Sequence, residues 1–245
     1  MHARSILGLA VLCGCTAAIA QQPGTKAPEH AVPISQEHHH HLIIENRYTR
    51  AYEVEVPAHD ATLMHEHDHD YAYVVLGDSD VTNTVAGKAP VKMHLPDGTV
   101  NFSKGPFAHI AANDADTPFR NITIVLLRPQ GQGQLKTFHP SVSAALEHGA
   151  GEVPIMETNE MLIYAVGIAP NGSWSPKENG HHRLLVLLDK MQDDSAPREP
   201  KAPRFPAGML RWIAAGSGLT LRNTEAAEMK LLVVEFEDSA RQLTM

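Results

Sequence analysis

The chain has 245 residues, of which 43% are apolar, so it is long enough to bury one or two cores and too apolar to be disordered. Acidic residues outnumber basic ones, with 28 Asp and Glu against 20 Lys and Arg. This balance argues against nucleic acid or an anionic membrane surface as a partner, because either would need a basic face. A small molecule or a metal ion is favoured, since the 16 histidines cluster at 37–41 and 65–69.

The first twenty residues have the pattern of an export signal. Arg4 supplies the positive charge, Ile6–Leu12 the apolar stretch and residues 18–20 a small-residue cleavage site. We therefore expect a periplasmic or secreted protein that starts after Ala20. The alternative is a lipoprotein anchored through Cys15. No transmembrane segment is expected, because the apolar stretch is too short for a hydrocarbon core of about 30 Å.

Both cysteines, Cys13 and Cys15, lie inside this signal. The mature chain would then have no thiol, although it would enter a compartment that permits disulfides. Any chemical site must therefore use His, Asp, Glu or Tyr, because thiolate nucleophiles and thiolate metal ligands are excluded.

Residues 21–41 are predicted to form a flexible tether, because their Pro, Gln and small residues show no sustained period. The run His38–His41 is interpreted as an adventitious metal binder within this tether, and a true ligand set is the alternative. Short β-like runs separated by turn sequences follow, which is typical of a sandwich or barrel. The predicted strands are Arg50–Val56, Ala72–Leu76, Val91–His94, Val100–Phe102 and Ile122–Leu127.

The second half of the chain repeats the first. The matched pairs are Asn46 with Asn159, Pro57 with Pro170 and His69 with His182 at an offset of 113, then Gly98 with Gly208 and Asn113 with Asn223 at an offset of 110. Because Gly, Asn and Pro each fix a turn, their recurrence in step with apolar runs predicts two copies of one β-domain. The predicted domains are 42–129 and 151–245, joined by a linker over 130–150 with a short helix at Ser141–Gly149.

The stretch 65–70 alternates histidine with an acidic residue. In a strand, residues two apart project to the same face, so the three imidazoles would share one face and the carboxylates the other. A barrel interior suits that face, because a metal needs converging ligands while apolar walls exclude bulk water. A metal site also needs a ligand from elsewhere in the chain, and His109 is the candidate.

These residues resemble the two sequence motifs of the cupin superfamily. The first motif pairs His-x-His with a nearby Glu and a later Gly, and the second has a Gly-containing turn followed by His and then Asn. The matching residues are His65, His67 and Gly77 in the first motif and Gly105, His109 and Asn113 in the second. The resemblance covers both repeats and implies an all-β chain of two tandem cupin-type double-stranded β-helix (jelly-roll) barrels.

The resemblance also implies one divalent metal ion, which could be Fe, Mn, Ni, Cu or Zn. The implied ligands are His65, His67 and His109. Where the family has Glu, this chain has Asp70 or Tyr71, depending on the alignment of the turn. Three arrangements therefore stay open: Asp70 as a fourth ligand, His69 as a fourth ligand, or three histidines with positions left for water and substrate.

In the second repeat, Glu178, Gly180 and Leu219 take the three ligand positions at these offsets. We therefore expect no metal in the second barrel. Its expected roles are to pack against the first barrel, to wall the substrate pocket or to form a homodimer interface.

Three residues near the predicted metal are candidates for catalysis. Tyr71 and Tyr73 could donate protons, or they could simply pack in the barrel. Arg50 could bind a substrate carboxylate, or it could form a surface salt bridge. The bicupin pattern resembles that of bicupin dioxygenases, which implies a metal-dependent oxidoreductase, or an isomerase or lyase if the metal is redox-inert. The alternatives are a non-enzymatic metal or small-ligand binding protein and, less favoured, a purely structural scaffold.

Overall fold

A computed structural model describes residues 31–130, 135–188 and 208–237, and these form an almost entirely β structure. The first unit contains β1 (Val32–Pro33), a 3-10 turn (Ile34–Gln36), β2 (His40–Glu45), β3 (Thr49–Val56), β4 (His65–His67), β5 (Tyr71–Val75), β6 (Ser79–Val85), β7 (Val91–Leu95), β8 (Val100–Ser103), β9 (Phe107–Asn113) and β10 (Phe119–Leu126). The remainder contains β11 (Lys136–Thr137), α1 (Val142–Ala145), β12 (Gly151–Glu157), β13 (Met161–Ile168), β14 (Ser173–Trp174), β15 (His182–Leu187), β16 (Leu210–Ile213), β17 (Leu221–Arg222) and β18 (Met229–Phe236).

The first unit consists of two five-stranded sheets packed face to face. Their strand orders are β1-β4-β9-β6-β7 and β2-β3-β10-β5-β8. Alternate residues of β3, such as Val54 and Val56, enter the core between the sheets, where they meet Val81 of β6. This alternation follows from the two-residue period of a strand, and it produces the closed interior predicted from the sequence.

The second unit is built around a six-stranded sheet of order β11-β12-β13-β18-β15-β16, with β14 and β17 paired separately. Its interior core includes Val166, Leu185 and Val233. The opposite face of the six-stranded sheet packs on the first unit, where Ile163 and Val234 share one core with Ile124 of β10. Both faces of β10 and β18 are therefore buried, which explains why their sequences are continuous apolar runs instead of alternating ones.

An equivalent asparagine anchors the same turn in both units. The Asn113 side-chain amide donates to the carbonyl oxygens of Val56, Pro57 and Thr117 at 3.0, 3.0 and 2.8 Å. The Asn223 amide donates to those of Ile168 and Ala227 at 2.8 and 2.7 Å. The predicted repeat therefore has a physical basis at this position, since each asparagine satisfies backbone groups of its own turn.

The structure corrects the first of the two repeat offsets by one residue. Thr158 N–H donates to the Met161 carbonyl oxygen as Asn46 N–H donates to that of Thr49, so Thr158 is the counterpart of Asn46. Gly208 N–H donates to the Leu187 carbonyl oxygen as Gly98 N–H donates to that of Val75. The offset is thus 112 before the connecting loop and 110 after it. Asn159 and Pro170 have the same residue types as Asn46 and Pro57, but they lie one residue beyond the true structural counterparts.

The five strands predicted from the sequence are confirmed, with ends shifted by one to three residues. The predicted linker helix is present as α1, whose N-cap Ser141 accepts a hydrogen bond from Ala144 N–H. The export signal, with Cys13, Cys15 and Ala20, lies outside the described residues. No helix in the described part of the chain is long and apolar enough to cross a membrane.

The structure also corrects the predicted tether over residues 31–41. β1 pairs in parallel with β4, with Val32 opposite His65, and Ile34 is buried in the core of the first unit. The next strand, β2, already begins at His40. Composition missed this segment because its two apolar residues are too few to produce a period, although one of them is enough to anchor the turn.

Candidate metal centre

Three histidines meet on the sheet that contains β4 and β9. The antiparallel pairing of these strands sets His65 opposite His109, and His67 lies two residues farther along β4 on the same face. One ligand nitrogen from each ring lies within 4.8 Å of the others, and the Nε2 atoms of His67 and His109 are 3.1 Å apart. The local alternation and a distant partner strand thus bring together the three residues that the sequence singled out.

Hydrogen bonds orient two of these rings. His65 Nδ1 lies 2.9 Å from the Leu63 carbonyl oxygen, which can only accept, so Nδ1 carries the proton. His109 Nδ1 lies 2.7 Å from Asn83 Oδ1, which also accepts. Each bond leaves the lone pair on Nε2, the nitrogen that a metal would bind. His65 Nε2 is buried and has no hydrogen-bond partner among the described residues.

Burial keeps the three imidazoles neutral. Desolvation, reinforced by neighbouring histidines, lowers the pKa of His65 to about 4 and that of His67 to about 2. The same causes lower the pKa of His109 to about 3. At neutral pH each ring therefore has an unprotonated nitrogen, as metal coordination requires.

A fourth imidazole lies beside this group. The ring centre of His40 is 4.7 Å from that of His65 and 6.4 Å from that of His67. Its Nδ1 lies 2.5 Å from Glu37 Oε2. Desolvation raises the pKa of the buried Glu37 carboxyl, but the hydrogen bonds and charge of its neighbours outweigh burial and lower that pKa to about 2.

The neighbouring His38 and His39 form a second potential ligand group with Glu37, since ligand atoms of the three lie within 4.8 Å. The Glu37 carboxylate is already engaged, however. Its Oε2 accepts from His39 N–H at 2.9 Å and contacts the His40 ring, while Oε1 accepts from Leu63 N–H at 3.2 Å. We therefore assign Glu37 to holding the segment in place, and this part of the histidine run is built into the fold instead of forming a flexible metal binder.

The histidines open into a cavity of about 600 Å³ inside the first unit. The lining contains apolar, amide, hydroxyl and phenol groups and two lysines, but none of the described lining residues is acidic. Representative lining residues are Tyr71, Tyr73, Asn83, Lys88, Asn101, Ser103, Lys104 and Phe107. The cavity therefore has a mixed lining of polar and apolar groups with positive charge at Lys88 and Lys104, on a protein with formal net charge −8.

The two predicted tyrosines lie in the wall of this cavity. Tyr71 stacks on His67 with ring centres 4.0 Å apart and planes at 17°. Tyr73 accepts a hydrogen bond from the Asn101 amide at 3.0 Å. Burial raises the pKa of Tyr71 to about 12 and also raises that of Tyr73, so both phenols are neutral and can donate hydrogen bonds.

The remaining candidates do not reach the histidine group. Strand β4 ends at His67, so the alternating pattern does not carry His69 onto the same face, and its ring instead contacts Asp68 at 2.8 Å. Asp70 accepts a hydrogen bond from Gly105 N–H at 3.0 Å. The backbone of Gly105 lies so close to that of His69 that a Cβ on Gly105 would be 2.5 Å from the His69 carbonyl oxygen. Neither His69 nor Asp70 is placed as a fourth ligand, which corrects both expectations.

Arg50 does not line the cavity among the described residues. Its guanidinium lies 2.8 Å from Glu45 Oε1 on a partly exposed surface. Of the two readings drawn from the sequence, the structure therefore supports a surface salt bridge and not a substrate carboxylate site.

No protein-family model matches the sequence, and no curated protein matches it. Several solved structures do match. Salicylate 1,2-dioxygenase from Pseudaminobacter salicylatoxidans has a TM-score of 0.58 and 12% identity, over 84% of this chain and 78% of that chain. AerE from Microcystis aeruginosa has a TM-score of 0.55 and 10% identity, over 81% and 97% of the two chains. YhaK from Escherichia coli has a TM-score of 0.51 and 10% identity, over 81% and 94%.

The chain has the cupin fold. The resemblance of the sequence motifs and the arrangement of the sheets thus lead to the same architecture. At such low identity the likeness establishes the fold and leaves the activity to be argued from the site itself.

The second unit contains an ion pair in its interior. Arg183 of β15 is paired with Glu235 of the neighbouring strand β18, as Tyr71 of β5 is paired with Val125 of β10 in the first unit. The Arg183 guanidinium lies 2.8 Å from Glu235 Oε2, and Oε1 of the same carboxylate accepts from Asn179 and His181 at 2.7 and 2.6 Å. By this pairing Arg183 is the counterpart of Tyr71. Asn179, four residues before Arg183, is then the counterpart of His67, which corrects the sequence match of His67 with Gly180.

The three histidines of the first unit fit a divalent metal. His65, His67 and His109 offer neutral, converging nitrogens, and imidazole binds most first-row divalent ions. The sequence prediction did not name Glu37, Asn83 or Asn101 as site residues, and it kept His40 only within the alternative reading of the run His38–His41 as a ligand set. The only available signal for Glu37 and His40 was their position in the histidine-rich run, which resembled a tail more than a strand.

Proposed function

We propose that the first cupin unit binds one divalent metal ion through His65, His67 and His109, and that the protein is a metal-dependent enzyme acting on a small organic molecule. One observation carries this proposal: three neutral imidazoles, two of them buried and that of His109 partly buried, converge at the wall of a cavity of about 600 Å³. A cavity of this size suits a small ligand. The expected ion is Fe, Mn, Ni, Cu or Zn, since imidazole ligands do not discriminate strongly among them.

Dioxygenase-like chemistry is the favoured reaction class. A redox-active ion would supply oxygen activation, whereas a redox-inert one would polarise a carbonyl group for isomerase or lyase chemistry. A salicylate 1,2-dioxygenase of the same fold has been crystallised as an adduct with gentisate, a small organic molecule, which supports this class by analogy.

The residues of this chain would bind and orient the substrate. Phe107 and its apolar neighbours would exclude water, while Asn101 and Ser103 would accept and donate hydrogen bonds. Tyr71 and Tyr73 keep their protons at neutral pH, so each would act as a donor to an oxygen of the substrate. Arg50 is not part of this proposal, because it pairs with Glu45 away from the cavity.

Elemental analysis of purified protein tests the metal site. The exposed ends of the histidine run are first removed with His38→Ala and His41→Ala, so that adventitious binding does not contribute. We expect about one ion per chain, lost in His65→Ala/His67→Ala and in His109→Ala but retained in the matched surface variant His94→Ala, whose ring pairs with Asp80 far from the group. A parent protein that binds no divalent ion after reloading would contradict the proposal.

A non-enzymatic metal or small-ligand binding protein is the second candidate. It is favoured by the absence, among the described lining residues, of a carboxylate that could act as a general base at the ion. Oxygen-uptake measurements with the metal-loaded protein and a panel of phenols, hydroxy acids and keto acids separate the two candidates. Substrate-dependent uptake supports the enzyme, whereas tight metal binding without turnover supports the binder.

We further propose that the protein is exported to the periplasm or secreted as a bicupin, with cleavage after Ala20. Lipidation at Cys15 is the alternative, and a homodimer is the expected assembly. Intact-mass measurement of the protein from a cell-envelope fraction distinguishes the two forms, because a lipidated N-terminus at Cys15 adds acyl chains to a longer polypeptide. Light scattering gives the assembly state.

A further inference from the structure

The edge strand β2 supplies a buried histidine to the same cavity. His40 opens β2, its side chain is 5% exposed, and it lines the cavity with the three histidines of the proposed site. The ring centres of those three are 4.5 to 5.1 Å apart. The separation of 4.7 Å between His40 and His65 falls within this range.

These separations are compatible with imidazoles around one ion. With metal–nitrogen distances of about 2.1 Å, ring centres are roughly 4.5 Å apart for ligands at right angles and roughly 6.4 Å apart for opposite ligands. The value for His40 and His65 is 4.7 Å, and that for His40 and His67 is 6.4 Å. The His40 ring therefore lies within the range of separations expected for imidazoles that would share one ion.

Glu37 prepares His40 for coordination. A carboxylate at the Nδ1 of a histidine holds the tautomer that has its lone pair on Nε2 and increases the basicity of that nitrogen. The Glu37 side chain is fully buried, and its oxygens also accept backbone N–H groups of His39 and Leu63. The Leu63 carbonyl oxygen in turn contacts His65 Nδ1. The backbone of Leu63 therefore contacts both the carboxylate that binds His40 and the ring of His65.

We propose that His40 is a fourth nitrogen ligand of the metal, with Glu37 as the residue that positions it. This inference rests on the proposed metal site and extends it. It gives the open fourth-ligand question an answer outside both cupin motifs, in the segment that composition assigned to a tether. His40 is not among the three histidines whose ligand atoms lie within 4.8 Å of one another, so we expect ion binding to draw its ring toward them and to stabilise β2.

Cobalt(II) is the probe for this proposal, because its visible absorption reports the number and geometry of the ligands. Metal-free protein carrying His38→Ala is titrated with Co²⁺ in the presence of a competing chelator. We expect His40→Ala to weaken binding at least 10-fold and to change the absorption spectrum. Glu37→Gln should weaken binding about 10-fold to 100-fold, the range for partners of ligating histidines. His41→Ala, next in the same run and exposed, is the matched control and should change neither.

Hydrogen exchange gives a second readout. Co²⁺ should slow amide exchange across β2 in the parent and in His41→Ala, and it should not do so in His40→Ala. His40→Gly with added imidazole distinguishes a missing ligand from a damaged fold. Recovery of the parent spectrum supports coordination by residue 40, and failure to recover it counts against the proposal.

The outcomes for the two proposals are distinct. If His40→Ala binds Co²⁺ with the parent affinity and spectrum while His109→Ala does not bind, the three-histidine site stands and His40 is not a ligand. If the parent itself binds no Co²⁺, both the metal site and the role of His40 are overturned.

Discussion

At the residue scale, the histidines of the metal centre link metal binding to the stability of the fold. His65, His67 and His109 have pKa values lowered to about 4, 2 and 3, whereas the pKa of an unfolded histidine is near 6.5. Between those values the unfolded chain binds protons that the folded chain does not bind. The free energy of unfolding must therefore fall as the pH falls below about 6.5.

This linkage predicts the pH dependence of the metal-free protein. Each of the three histidines contributes a loss of at most about 1.4 kcal/mol per pH unit as the pH falls from 6.5 toward 4. His67→Leu removes one of these groups, so its unfolding free energy should fall less steeply. Urea denaturation followed by circular dichroism at pH 7, 6 and 5 measures both slopes.

The matched control for this experiment is the surface variant His94→Leu, which removes an exposed histidine and should keep the parent slope. Glu37 does not interfere, because its pKa is lowered from 4.5 to about 2 and its contribution is lost only below about pH 4.5. Identical slopes for the parent and His67→Leu would mean that the pKa of His67 is not lowered in the folded protein.

At the scale of elements, the loop before β5 and the loop before β15 are closed by different chemistry. In the first unit the loop follows His67 of the histidine group, and its Asp70 accepts a hydrogen bond from Gly105 N–H. In the second, Arg183 binds Glu235 and also donates to the Lys177 carbonyl oxygen at 2.7 Å and to Asn179 Oδ1 at 2.6 Å. The ion pair thus ties the loop to the sheet at the position where the first unit has its proposed ion.

Breaking this ion pair should destabilise the second unit. Arg183→Met leaves the buried Glu235 carboxylate without its cation, and removing one partner of a buried pair costs about 3–5 kcal/mol. The double variant Arg183→Met/Glu235→Leu should recover most of that loss, because no uncompensated charge remains. Chemical denaturation measured by tryptophan fluorescence reports on this unit, since both tryptophans, Trp174 and Trp212, belong to it.

A double variant no more stable than Arg183→Met would argue that the pair organises the loop through its hydrogen bonds and not through charge compensation. The partly exposed pair of Lys177 and Glu152, at 3.1 Å, is the comparison, and Lys177→Met should change stability by less than about 1 kcal/mol.

At the scale of the whole molecule, the two units share a core. Ile124 of β10 is completely buried in the cluster that also contains Ile163 and Val234 of the second unit. The ring of Tyr48 extends this contact, with its centre 4.7 Å from that of His182 and 5.7 Å from that of Trp212. Because the apolar faces of two sheets cover one another, we expect the units to unfold together.

Ile124→Ala tests this coupling. Truncating a buried isoleucine costs about 2–5 kcal/mol, and the transition seen by tryptophan fluorescence in the second unit should shift as far as the one seen by far-UV circular dichroism. Val91→Ala, at a position that is 57% exposed, is the control and should shift neither by more than about 0.5 kcal/mol. Two separate transitions, with only one of them shifted, would show that the units unfold independently.

Local signals in the sequence were enough to predict the β class, the internal repeat and the three central histidines. Alternation at 65–70, the turn residues of the repeat and the later His109 are local signals, and each follows from the geometry of a strand or turn. The alignment of the two repeats was wrong by one residue in its first part, because residue types can match one position away from the structural counterpart. Asn159 matches Asn46 by type, whereas Thr158 is its counterpart in the backbone hydrogen bonds.

Which other side chains reach the three histidines depends on long-range packing, and no local pattern predicted it. His69 and Asp70 continue the alternating pattern but lie beyond the end of β4, so a turn directs them elsewhere. His40 is distant in sequence and has no periodic signal, yet the pairing of β2 with β3 and the buried Glu37 carboxylate bring it to the cavity. The physical reason is that strand alternation specifies a face over a few residues, whereas convergence on one point depends on how separate strands pack.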